Sequence, residues 1–89
     1  MVKIRKRDGR IEDYLESKIV AGARKAGATA KEAAQVAKDV TLRTARQAEV
    51  TAEELSTMVV TSLSKINQKA SDTFVNFRDN KLKLRKKTT

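Results

Sequence analysis

At 89 residues, 39% apolar and 35% charged, the chain fits one small domain with a modest core. It has neither cysteine nor histidine, which excludes a disulfide framework, a thiolate zinc site and the commonest general base near neutral pH, and so lowers the prospect of enzymatic chemistry. Five basic and one acidic side chain fall in residues 1–10, ten of each in residues 11–80, and five basic and no acidic in residues 81–89, so the net charge of +9 lies at the two ends and points to an anionic partner, a nucleotide phosphate or a nucleic-acid backbone.

The first element is a basic β-hairpin. Apolar Val2 and Ile4 alternate with Lys3 and Arg5, Lys6-Arg7-Asp8-Gly9 carries the Asp-Gly hairpin signal, and Ile11 opens the return strand. A lone hairpin is marginal in water, so this one must lie on the helical body that follows Tyr14. The alternative is a solvated edge ribbon whose lysines and arginines discourage strand pairing between molecules.

Helix 1 is expected from about Leu15 to Ala26, with Leu15, Ile19, Val20 and Ala23 on one stripe and Gly27 as a left-handed stop. Thr29-Ala30-Lys31-Glu32 is a capping-box signature opening helix 2, which should run to about Gln47 and bury Ala33, Val36, Ala37, Val40 and Thr44. Glu49-Val50 has the composition of a brief extended piece that could add a third strand. Thr51-Ala52-Glu53-Glu54 is a second capping box, and helix 3 follows with Leu55, Met58, Val59 and Leu63 on one face and Ile66 just beyond. Asn67-Gln68 reads as the break before helix 4, which begins near Lys69 and carries Ala70, Phe74 and Phe77 at helical spacing, with Leu82 or Leu84 further along.

The fold class is therefore α+β, mostly α: a four-helix bundle capped by an N-terminal β-hairpin that Glu49-Val50 could widen to a three-stranded sheet. Residues 1–84 form one domain, and residues 85–89 are too poor in apolar side chains to dock and form a basic flexible tail. No apolar run approaches the roughly 20 residues needed to span a bilayer, and the N-terminus lacks an export signal, so a cytoplasmic protein is expected. Met1 and the basic tail fit a complete small product.

Lys6, Arg7 and Lys18 are candidates to meet phosphates through charge-assisted hydrogen bonds. Lys18 lies one turn into helix 1, where its charge opposes the positive end of the helix dipole, a cost that a bound anion relieves. Taken singly, it reads more readily as an exposed helix lysine than as a phosphate contact. Glu12, Asp13 and Glu16 are close in sequence, but no nucleophile or base accompanies them, and they read as carboxylates balancing nearby lysines.

Ile4-Arg5-Lys6-Arg7-Asp8-Gly9, then Glu12, Tyr14 and Ser17-Lys18-Ile19, then Ala26-Gly27-Ala28 closely resembles the opening of the ATP-cone family, small regulatory nucleotide-binding domains at the N-terminus of ribonucleotide reductase large subunits and in the repressor of reductase genes. Thr51 at the head of helix 3 and Phe74-Val75-Asn76-Phe77-Arg78 extend the resemblance over roughly residues 2–82. It implies a four-helix body capped by a short sheet, with ATP or dATP held between hairpin and helices. By position, Ile4 would line the base pocket and Glu12 would hydrogen-bond on the base side. Lys6, Arg7 and Lys18 would reach the phosphates, Thr51 would stand on the phosphate side, and Phe77 and Lys81 would lie near the nucleotide from helix 4.

Two departures stand out. Where the family usually has Pro-Phe-Asp after the glutamate, this chain has Asp13-Tyr14-Leu15, replacing a polar side chain that helps read the base. Some members place a histidine on helix 3 near the phosphates; Leu55 and its neighbours offer none, which points to weaker binding or to a magnesium ion accompanying the nucleotide. The resemblance implies a non-enzymatic module that senses ATP or dATP and signals occupancy through its assembly state or a partner protein. Two other readings stay open: a small basic nucleic-acid-binding protein, and a fold of this family that has lost its ligand and acts as an interaction module.

Overall fold

Asp8 and Gly9 set the first turn. Gly9 takes φ 89° and its amide donates to the Lys6 carbonyl at 3.0 Å, while the Lys6 amide donates to the Arg10 carbonyl at 2.8 Å. This is a three-residue loop whose last residue is left-handed, a conformation glycine adopts without a Cβ penalty. The Asp8 carboxylate accepts from the Arg10 amide at 3.1 Å and from Arg10 Nε at 2.7 Å, which closes the loop.

The structure, a computed structural model, describes the backbone of residues 2–87 and the side chains of residues 2–77. Among the described residues the order is β1 (Lys3–Arg5), β2 (Ile11–Asp13), α1 (Glu16–Lys25), α2 (Ala30–Thr44), β3 (Glu49–Thr51), α3 (Ala52–Ile66) and α4 (Gln68–Lys87). The class is α+β and mostly α, as the sequence implied. The sheet order is β2-β1-β3, with β1 antiparallel to β2 and parallel to β3. The third strand is real: Ile4 pairs with Val50, and the Lys3 amide donates to the Ala48 carbonyl at 2.9 Å. A parallel partner requires a long crossover, here β2, α1 and α2, and β3 joins the sheet along the edge of β1 opposite β2.

The helix boundaries follow local chemistry. At the end of α1, Gly27 has φ 107°, its amide donates to Arg24 O and the Ala28 amide reaches back to Ala23 O, the paired bonds of a Schellman stop. Both capping boxes form: Thr29 with Glu32 at α2, and Thr51 with Glu54 at α3. The α2 helix ends at Thr44, short of the expected Gln47, because the chain must deliver Glu49 to the sheet edge; Thr44 Oγ1 turns back onto Val40 O at 3.0 Å. Asn67 ends α3 and its side chain accepts from the Ala70 amide, so one residue both closes α3 and caps α4. Helical backbone continues through Lys87, past the point where the sequence placed the start of a tail, and the two final residues lie outside the described part.

The core is built from small side chains. Ala23, Ala33, Val36, Ala37, Val40, Thr44, Val50, Val59 and Leu63 are all buried, including the whole face expected for α2. Gly22 of α1 faces Phe74 of α4, and a Cβ there would meet the ring at 3.6 Å, an ordinary van der Waals contact, so the packing does not depend on glycine at this position. Leu15, expected on the buried stripe of α1, is instead 46% exposed: it is the extended residue preceding the helix and so leaves the helical stripe. No helix among the described residues is long and apolar enough to cross a membrane.

Candidate functional site

Side chains alternate across a strand, so Ile4 and its partners Glu12 and Val50 share one face of the sheet. Val50 is buried there and Ile4 packs against the core. Strand β2 inverts the expected polarity: Ile11 points outward, 47% exposed, and Glu12 turns its carboxylate inward. An inward acid opposite an exposed isoleucine breaks the pattern that would best stabilise the hairpin, and such local violations mark sites where function competes with packing.

Beneath this edge lies a cavity of about 170 Å3. Its wall comprises Ile4 and Lys6 from the hairpin, Glu12 and Asp13 from β2, Leu15, Lys18 and Ile19 around the start of α1, and Ala52 and Leu55 from the first turn of α3. A cavity of about 150 Å3 accommodates a benzene ring, so this one has the volume of a ring-sized group.

The charged groups around the mouth are arranged in pairs. Lys6 Nζ lies 3.3 Å from Glu12 Oε1, and Arg7 Nε donates to Glu53 Oε1 at 2.7 Å. Lys3 pairs with the wall residue Asp13, and outside the wall Arg5 forms a fork onto Glu49 with bonds of 2.8 and 3.1 Å. With Arg10 on Asp8, all five basic residues of the hairpin are matched by carboxylates. The concentration of positive charge that the first ten residues display in sequence is therefore largely neutralised in space, mostly by acids from β2, β3 and α3. The Asp13 carboxyl is held below the usual range by its bond from Lys3, and that of Asp8 by the Arg10 amide.

Lys18 differs from the hairpin cations. It makes no ion pair among the described residues, lies in the first turn of α1 and lines the cavity. Four of the positions singled out from sequence thus converge: Ile4, Lys6, Glu12 and Lys18. Arg7 stands beside them on Glu53 and outside the wall. Thr51 caps α3, its hydroxyl accepting from the Glu54 amide and its own amide donating to Glu54 Oε1 at 3.0 Å, so part of the anion-binding capacity of that helix end is already used. Phe77 is 50% exposed on α4, apart from the cavity wall. Lys81 is on the α4 backbone, but its side chain lies outside the described residues.

Asp13, Ile19, Ala52 and Leu55 were not among the site candidates. Ile19 and Leu55 read as core residues because they fall on apolar helical stripes, and the stripe does not reveal that the first turn of each helix overhangs a gap. Ala52 carried a usable signal, being next to Thr51 at a helix start. Among the described residues no group of three or more acidic side chains gathers as a metal site.

Residues 2–82 match the family model described as the ATP cone domain. No curated protein matches the chain.

Proposed function

This chain belongs to the ATP-cone domain family, whose members are regulatory nucleotide-binding domains and not catalysts, and from that membership we propose that it binds ATP or dATP under the hairpin and signals occupancy through its assembly state or a partner protein. The observation that carries the reading is the convergence of Ile4, Lys6, Glu12 and Lys18, from two strands, a turn and a helix, on one ring-sized cavity. The base enters between Ile4, Ile19 and Leu55, with Glu12 as its hydrogen-bond partner. The phosphates remain at the mouth, where Lys18 waits without a carboxylate and Lys6 and Arg7 can exchange theirs. A magnesium ion would arrive with the phosphates. Thr51 shapes the phosphate side by fixing the start of α3, and Phe77 and Lys81 are assigned to the α4 side of the ligand. We place the protein in the cytoplasm, consistent with a chain free of cysteine.

With all five hairpin cations balanced by carboxylates, the hairpin offers little net positive charge to a nucleic-acid backbone, which weighs against it as a nucleic-acid grip. Leu15 at the cavity wall favours a second reading, an interaction module that has lost its ligand. Calorimetric titration with ATP, dATP, ADP and GTP, beside a DNA duplex at two salt concentrations, separates the three. The expected result is saturable adenine-nucleotide binding in the micromolar range, about −8 kcal/mol. Binding of DNA alone, falling steeply with salt, would favour the nucleic-acid reading. Absence of any binding would favour the interaction module.

A further inference from the structure

We propose that Glu53 is an intramolecular competitor of the nucleotide's phosphates for Arg7, so that it sets how far the site discriminates a polyphosphate from a ligand without phosphates. The proposal rests on the nucleotide-site reading above. Arg7 sits at the hairpin tip and Glu53 is the second residue of α3, 46 positions away, joined by a bond of 2.7 Å from Nε to Oε1.

The pair differs from its neighbours in what it connects. Lys3–Asp13 and Arg5–Glu49 tie strands that backbone bonds already join. Arg7–Glu53 instead bridges the loop tip to the first turn of α3, on either side of the cavity that Lys6 and Ala52 line. Glu53 is also spared capping duty. Its neighbour Glu54 serves the Thr51 amide, so the Glu53 carboxylate has Arg7 as its side-chain partner. Both members are more than half exposed, so a ligand phosphate reaches Arg7 without a buried rearrangement.

A carboxylate and a phosphate make the same kind of bond to a guanidinium, and both cannot hold the same face of it. A triphosphate that takes the Nε edge of Arg7, the edge the carboxylate holds, displaces Glu53, and the displaced carboxylate then lies close to the phosphates as a like charge. An adenosine without phosphates leaves the pair intact. Exposed ion pairs contribute up to about 1 kcal/mol, which is about fivefold in affinity, so the competition is a modulation and not a block.

The test is calorimetric titration of the whole chain with ATP and with adenosine, using the wild type, Glu53→Gln, Arg7→Ala and the double variant. The expected result is ATP binding about threefold or more tighter in Glu53→Gln, unchanged adenosine binding, and a gain reduced to half or less when Arg7 is alanine. An ATP affinity in Glu53→Gln equal to or weaker than wild type would overturn the proposal while leaving the nucleotide site standing. So would a gain that is equal for adenosine, or one that persists in full without Arg7. A wild type that binds neither ligand would overturn both this proposal and the reading on which it rests.

Discussion

Lys18 is the cation at the cavity that no carboxylate neutralises among the described residues, and its place in the first turn of α1 sets it against the helix dipole. A bound phosphate removes that conflict, so Lys18→Ala should weaken ATP by about tenfold, the effect of about 1.5 kcal/mol for a charged hydrogen bond, and leave adenosine nearly unchanged. Equal losses for both ligands in calorimetry would show that Lys18 does not meet phosphate. Asn67 has a different task. Its carbonyl oxygen accepts from the Ala70 amide at 3.0 Å and its amide donates to Glu32 Oε1 at 3.1 Å, tying the α3–α4 corner to the start of α2. Asn67→Ala should lower stability by about 1 kcal/mol, as loss of a helix cap does, read as a shift of the urea midpoint; an unchanged midpoint would show that the corner holds without it. Lys6 and Lys18 stood out in sequence as cations able to meet phosphate, whereas Glu12 entered only through the family resemblance; all three line the cavity. The Arg7–Glu53 and Asn67–Glu32 links were not legible in sequence, since pairs 46 and 35 residues apart leave no local pattern.

Among the elements, the capping boxes were read from four-residue signatures and both formed, whereas the end of α2 was read too late. No glycine or proline marks that end, and only the demand of β3 for a place in the sheet fixes it, a tertiary cause that propensity does not register. Strand β3 itself is three residues long, and its parallel pairing with β1 depends on a crossover that sequence spacing alone does not specify. The boxes also carry a pH signature. Glu32 and Glu54 are each held below their ordinary value of 4.5, chiefly by accepting the backbone amide of Thr29 and of Thr51. Because their folded values lie below the unfolded ones, their contribution is fully present above about pH 4.5 and is lost as pH falls through the folded values; Asp8 and Asp13, also lowered, act in the same direction. Urea midpoints should therefore be flat from pH 7 to about 5 and decline below that, with a smaller decline in Glu54→Gln. Midpoints that rise on acidification would contradict the assignment.

At the scale of the whole molecule, the chain is 17 Å across its thinnest direction, about two helix layers, so the cavity proposed to hold the nucleotide and the outer surface are never far apart. If the proposed function holds, a domain this small can report occupancy only by altering a surface, and an assembly state or partner affinity that shifts with ATP by about 1–3 kcal/mol is the expected coupling. Sedimentation profiles that stay identical with and without saturating nucleotide, together with an unchanged affinity for a partner, would contradict it. The C-terminal basic run is expected to be separable from this behaviour: a chain truncated after Leu82 should keep its stability and ATP affinity within about 0.5 kcal/mol, and loss of either would show that the segment beyond Leu82 packs on the domain. The most direct test of the central claim, a nucleotide held between hairpin, α1 and α3, is a titration of the isotope-labelled chain with ATP followed by backbone amide resonances. The account predicts saturable shifts concentrated at Ile4 to Arg7, Glu12, Lys18, Ile19 and Ala52 to Leu55. Shifts confined to the C-terminal part of α4, or none at saturating ATP, would contradict it.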